Sequence, residues 1–368
     1  MRSTSDPKPV PGLPGDPQPL PLLPLPSRAE MERAYQLSDA SYDGVFFLGV
    51  RTTGIFCRPS CPARKPKPEN VEFFAMPKDA LFAGYRQCLR CRPLEGNQAP
   101  EWVSRLLERI ERQPDVRIKE RELRDLGVEP ARVRRYFLSR YGLTFQAYCR
   151  ARRLSRAFER IRDGEALDDA VFETGYESHS GFREAFLKAF GQPPGRSADA
   201  SCIRLAWIDT PLGPMVAGAT DKGVCLLEFT DRRMLEHQLT TLQRRFKAAL
   251  APADHPHLTA LRTELAEYFA GTRRTFDVPI DAPGTPFEER VWRELSRIPF
   301  GETRSYEEIA RNVATPAAVR AVGRANGMNR LAIVIPCHRV LNKSGELGGY
   351  GGGLWRKRRL LHLERSGA

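Results

Sequence analysis

The spacing of apolar positions changes repeatedly along the 368-residue chain, and each change predicts a different kind of element. Proline dominates the start (PKPVPGLPGDPQPLPLLPLP), which removes backbone donors and favours extended polyproline over a packed fold, so residues 1–28 read as a disordered leader. Gly44 to Phe56 (GVFFLGVRTTGIF) is β-branched and aromatic and predicts a strand ending at Cys57. A short helix with proline in its first turn is predicted over Pro77 to Tyr85, and Pro93 to Pro100 reads as a linker. From Glu101 to Gly195 the apolar residues recur at helical spacing, which predicts two helix-turn-helix units around Gly127 and Gly175. In the second, Val171, Phe182, Phe186 and Phe190 form the core and His179, Ser180 and Arg183 face outward for a groove. Strand-like runs at Ile203 to Ile208, Met215 to Ala219 and Val224 to Phe229 then precede two helical stretches, a small α/β lobe ending near Asp281. A mainly helical lobe follows, in which Ile333 to Val340 (IVIPCHRV) reads as a buried strand delivering Cys337 and His338 side by side.

These changes divide the chain into the leader, a small domain over 29–95, an all-α domain over 100–197, an α/β lobe over 201–282 and a helical lobe over 283–368. The predicted class is multidomain α+β. Composition adds a partner: a formal net charge of +13 favours a polyanion, because neutralised phosphates release counterions. The run Arg150, Arg152, Arg153, Arg156, Arg160 and Arg162 either clamps backbone phosphates or solvates a linking helix. No apolar run reaches the ~18 residues of a membrane span and no signal peptide is evident, so a cytoplasmic, nucleoid-associated protein without a membrane partner is expected. Nothing resembles a coiled coil or a dimer surface, which leaves a monomer as the expectation.

Eight cysteines in such a chain argue for metal binding and thiol chemistry rather than disulfides. Four of them, Cys57, Cys61, Cys88 and Cys91, are spaced C-x3-C-x26-C-x2-C, which suits one tetrahedral zinc ion. Four thiolates around a divalent ion leave a doubly negative site that would repel DNA, yet residues 44–92 carry nine basic against three acidic side chains. Arg64 and Arg86 are candidate phosphate clamps in that surface. A zinc site closed by four cysteines is most often structural, and spacing alone leaves a structural or a reactive site open.

In the last lobe, Cys337 needs a base or a positive field, because an ordinary thiol is only a few per cent ionised at neutral pH. His338 is the candidate base, and Glu364 the candidate that fixes its tautomer.

Three stretches carry resemblances. GYESHSGFREAFLKAFGQPP resembles the AraC-type DNA-binding domain, although the first unit departs from it at Glu129, where that family has a small capping residue. PCHR with PFEERVW, IPFGETRSYEEIA, AVRAVGRANGMNR and GGYGGGLWRKRRLL resembles the O6-alkylguanine-DNA alkyltransferase family from about Ser201 onward. That resemblance implies Cys337 as alkyl acceptor, Tyr306 as the phosphate-rotating tyrosine and proton donor, Arg320 as the finger that fills the space of a flipped base, and Asn329 as the hinge. It further implies Tyr350 and Gly351 in the loop that wraps the base, and Glu364 as the group orienting His338. Arg320, at a helix start, suits a plain phosphate contact equally. VRTTGIFCRPSCPAR with AGYRQCLRCRP resembles the phosphotriester-repair domain of the Ada family, and the whole order resembles that family.

The resemblance implies stoichiometric transfer of alkyl groups from O6-alkylguanine to Cys337 and of methyl groups from phosphotriesters to Cys57. Methylated Cys57 would then switch on DNA binding for transcription, because methylation removes one negative charge from the site. The implied partners are double-stranded DNA with alkyl lesions, promoter DNA and RNA polymerase. Two other readings remain: a repair-only alkyltransferase with a structural zinc site, and a pure transcription regulator.

Overall fold

The computed structural model describes residues 24–94, 100–113, 117–141, 144–176, 178–190, 193–194, 201–313 and 316–366; most of the proline-rich leader lies outside these. Helix α1 (Arg28–Gln36) begins where the Ser27 side chain accepts the Glu30 N–H. Strands β1 (Phe47–Val50), β2 (Ile55–Cys57), β3 (Val71–Phe74) and β4 (Arg86–Gln87) form a sheet in the order β3-β1-β2-β4. The run expected as one strand is therefore a hairpin, broken where Gly54 takes φ +63° and returns its N–H to Val50. Helix α2 (Pro77–Phe82) stops three residues short of the expected end, because Gly84 takes φ +87° and the Tyr85 N–H closes back on Ala80.

Six helices follow: α3 (Glu101–Arg112), α4 (Glu120–Asp125), α5 (Pro130–Tyr141), α6 (Phe145–Arg162), α7 (Leu167–Glu173) and α8 (His179–Phe190). The two expected turns carry the left-handed glycines Gly127 (φ +72°) and Gly175 (φ +74°). Val171, Phe182 and Phe186 are fully buried, and the side chain of Phe190 lies outside the described residues.

The arginine run of α6 is neither a uniform clamp nor a uniformly solvated face. Arg153 is buried over the Tyr176 ring, while Arg152 and Arg162 pair with Asp254 and Asp221 of the next lobe. Apolar residues of α6 and α8 pack with Cys202, Ala249 and Ala251, so this domain rests on the sheet that follows.

That sheet is built from β5 (Ser201–Ile208), β6 (Met215–Thr220), β7 (Gly223–Phe229) and β8 (Ala248–Pro252) in the order β7-β6-β5-β8, flanked by α9 (Leu235–Phe246) and α10 (Pro256–Phe269). The parallel strand β8 was not expected. Its sequence, AALAP, has neither β-branched nor aromatic residues and is held by pairing with β5. The last lobe holds α11 (Pro286–Ser296), β9 (Arg304–Ser305), α12 (Tyr306–Asn312), α13 (Val319–Gly327), β10 (Val340–Leu341) and α14 (Leu354–Ser366), sharing one core with β6, β7 and α10.

Of the expected strand over Ile333 to Val340, the last residue alone is in a strand, as the start of β10. The segment is a succession of tight turns ending in the 3-10 turn Cys337–Arg339, because its N–H groups bond carbonyls only two to four residues back. Ile333 takes φ +74° within it, and Asn329 braces its first turns by accepting the Leu331 N–H and donating to the Ile335 carbonyl.

Candidate active site and metal centre

Cys337 lines a cavity of about 370 Å³ with Glu228, Arg232, Tyr306, Gly323, Asn326 and Tyr350, closed on one side by Gly349 to Gly352. The turns position the thiol: its own N–H bonds Ile335, and Asn326 Nδ2 donates to its carbonyl at 3.4 Å. Burial pushes the Cys337 thiol up, while a hydrogen bond from Asn329 and the charges of Arg232 and Lys357 act in the opposite direction. Lys357 is itself buried, donates to the Val340 and Gly348 carbonyls, and is pulled down to about 8 by burial.

His338 is fully buried, and its Nε2 lies 2.8 Å from Glu364 Oε1. Since a carboxylate only accepts, Nε2 carries the proton and Nδ1 presents a lone pair, which has no partner among the described residues. Burial depresses the basicity of His338 against the opposing pull of Glu364. Glu364 also accepts from Tyr268 (2.8 Å), from Gly301 N–H (3.3 Å) and from two N–H groups of Arg339 (2.9 and 2.8 Å). Burial works to raise the Glu364 carboxyl, but His338 and Arg339 hold it well below its usual range.

Tyr306 opens α12 with its ring in the cavity, and Tyr350 projects a buried hydroxyl that has no partner among the described residues. Arg320 is exposed in the first turn of α13. The cavity thus gathers Cys337, Tyr306, Tyr350 and Gly351, while His338, Asn329 and Glu364 stand behind its floor and Arg320 outside it. Sequence reading missed Glu228, Arg232 and Lys357, and no motif in EFTDRR signals that two of its charges turn inward.

In the first domain β2 and β4 run parallel, so Cys57 at the end of β2 and Cys88 just after β4 come together, tied by the Cys88 N–H to the Phe56 carbonyl. The four sulfur atoms of Cys57, Cys61, Cys88 and Cys91 all lie within 4.8 Å of one another, close to the ~3.8 Å sulfur spacing that Zn–S bonds of ~2.3 Å impose. The donor set fits one zinc ion. The Arg58 N–H points at Cys91 Sγ (3.4 Å).

A groove of about 700 Å³ runs over this cluster, and Arg64, Lys65, Lys67, Arg86 and Arg90 line it. Arg64 and Arg86 are exposed there. On α8, Ser180 and Arg183 are exposed and His179 is half-buried, 3.6 Å from Asp168.

Fold and site define a chain with a four-cysteine cluster under a basic groove, a tandem helix-turn-helix, and a buried cysteine lining a cavity. The comparisons follow the same order. Residues 30–94 match the metal binding domain of Ada, 123–199 a helix-turn-helix domain, 203–282 the ribonuclease-like domain of 6-O-methylguanine DNA methyltransferase, and 286–366 its DNA binding domain. The bifunctional transcriptional activator/DNA repair enzyme Ada of Escherichia coli is 35% identical over 89% of this chain and 93% of its own length. The regulatory protein ada of Salmonella typhimurium is 33% identical over 89% of this chain and 94% of its own. Among solved structures, Mycobacterium tuberculosis OGT in complex with DNA is 42% identical, covering 45% of this chain and 94% of that one with a TM-score of 0.40. The chain belongs to the Ada family.

Among the described residues no helix is long and apolar enough to cross a membrane.

Proposed function

We propose that the protein repairs alkylated DNA stoichiometrically at two cysteines and uses the first repair event as a transcriptional signal. The observation that carries the reading is the cavity around Cys337: a buried thiol, two tyrosines in the lining, and the His338–Glu364 pair behind. A guanine stacked in a duplex cannot enter such a cavity, so the base is flipped out at a cost of a few kcal/mol, with Arg320 filling the gap.

His338 Nδ1 accepts the thiol proton, directly or through a water. Cys337 Sγ forms a bond to the alkyl carbon as the bond from that carbon to guanine O6 breaks. The electron pair passes into the purine, Tyr306 supplies the proton the base needs, and Tyr350 donates to the guanine. His338 then returns its proton through solvent to the Tyr306 phenolate, so that one proton has moved overall from thiol to guanine, and a thioether remains. No group in the cavity removes it, so each molecule acts once.

Cys57, Cys61, Cys88 and Cys91 would hold the zinc ion, which when bound would keep Cys57 deprotonated and therefore nucleophilic. Arg64 and Arg86 bring the backbone phosphates over the cluster, and Cys57 Sγ bonds the methyl carbon of a phosphotriester as the bond from that carbon to the phosphate oxygen breaks, leaving a phosphodiester. One negative charge is lost from the site, which strengthens attraction to DNA. The second helix-turn-helix reads promoter DNA through His179, Ser180 and Arg183, and the bound chain, as a monomer, presents itself to RNA polymerase.

Titrating O6-methylguanine duplex against full-length protein tests the repair step: repair should stop at one lesion per molecule and be absent in Cys337→Ser, and continued turnover would sink it. Substituting Cys57→Ser should leave that titration intact and abolish the gain in promoter affinity that methylphosphotriester DNA induces in a gel shift.

A further inference from the structure

The end of β7 and the turn after it contribute two charges to the alkyl cavity that the transfer chemistry does not use. Glu228 is 1% and Arg232 7% exposed in their side chains, and they form a close ion pair in the cavity wall. Arg232 also crosses between lobes: Nη2 donates to the Gly327 carbonyl at 2.5 Å and Nη1 to the Asn329 carbonyl at 3.2 Å. These are the last carbonyls of α13 and the brace of the Cys337 turns. On its other face the guanidinium lies against Gly351, where an added Cβ would sit 2.5 Å from the Arg232 Cζ. The neighbouring Asp231 secures the same turn to α14 through a two-pronged pair with Arg356 (2.8 Å each).

We propose that Arg232, held by Glu228, is a positioning residue for alkyl transfer, which fixes the α13 terminus and the Gly351 wall around Cys337 and supplies a positive charge facing the developing thiolate. This rests on Cys337 being the alkyl acceptor. A buried Arg–Glu pair often adds little net stability once its desolvation is counted, so its presence in the wall of a reactive cavity points to a second use. The charged and titratable groups around Cys337 are Arg232 and Glu228 from the β7 end, Lys357 from α14, Tyr306 and Tyr350, and His338 with Glu364 and Arg339 behind it. Among the described residues Arg232 and Lys357 turn a positive charge toward the sulfur, and of the two Arg232 lines the cavity.

The test is the pH dependence of single-turnover transfer from an O6-methylguanine duplex to the full chain. Arg232→Met removes the cation, so the profile's midpoint moves up by about one pH unit and the rate at neutral pH falls about tenfold, while Arg232→Lys keeps the midpoint within a few tenths. Glu228→Gln leaves the arginine uncompensated and moves the midpoint down. Opposite shifts for these two neutralisations cannot come from loosened packing alone. If Arg232→Met does not fold, Arg232→Lys and Glu228→Gln still decide: an unmoved or raised midpoint in Glu228→Gln overturns the proposal. Equal rate losses at every pH in the arginine variants overturn it also. Absence of transfer in the unsubstituted chain would instead overturn the acceptor assignment itself.

Discussion

Replacing Glu364 by Gln keeps the shape of the side chain and removes its charge at the most heavily used acceptor in the catalytic lobe. Its two oxygens receive Tyr268, His338, Gly301 and two N–H groups of Arg339, all donors. A glutamine must turn an NH₂ group toward some of these donors and leaves the Arg339 guanidinium, 7% exposed, without its counter-ion. Breaking a buried pair from one side costs about 3–5 kcal/mol. Arg339 keeps the Ile298 carbonyl (2.6 Å) and the Phe300 ring, which places the expected loss near the lower end, about 3 kcal/mol. Urea denaturation followed by circular dichroism measures it, and adding Arg339→Met should restore much of the loss because the orphaned charge is gone. A loss under about 1 kcal/mol, or no recovery in the double variant, would refute the claim that Glu364 is held as a buried anion.

Acid should weaken the same lobe in two stages. Buried His338 binds its proton less readily folded than unfolded, so stability falls first as pH drops below ~6.5. Glu364 is depressed in the fold, so its contribution is complete above the unfolded value of ~4.3 and is lost as pH falls through and below it; urea midpoints at successive pH values measure both stages. Tyr306→Phe should slow transfer roughly a hundredfold while leaving stability nearly unchanged, in keeping with loss of a general acid, as single-turnover rates will report. A strong chelator should unfold residues 30–94 selectively, since Cys57, Cys61 and Cys88 are part of that domain's small core; protection from proteolysis before and after chelation is the readout.

What could be read from sequence depended on whether a residue's role was local. The four-cysteine spacing, the two glycine turns and PCHR announce themselves because ligand geometry, positive φ and side-by-side chemistry are short-range. The turns around Cys337 read as a strand in the sequence because apolar content marks burial without fixing backbone pairing, and the hydrogen bonds of Asn329 that bend this segment bridge residues whose order gives no period. Strand β8 is alanine-rich and owes its state to its neighbour β5. Arg153 reads as one member of a run that either clamps phosphates or faces solvent, yet it turns inward over Tyr176. Arg232 and Glu228 were illegible for the same reason: inward-facing charges resemble surface charges until the opposing lobe is in place.

One chain is predicted to carry two alkyl acceptors. Full-length protein incubated with DNA bearing both O6-methylguanine and methylphosphotriesters, then digested and mapped by mass spectrometry, tests it directly. Methyl-sized adducts on both Cys337 and Cys57 are predicted; an adduct on Cys337 alone would make the metal centre structural, and none on either would contradict the account.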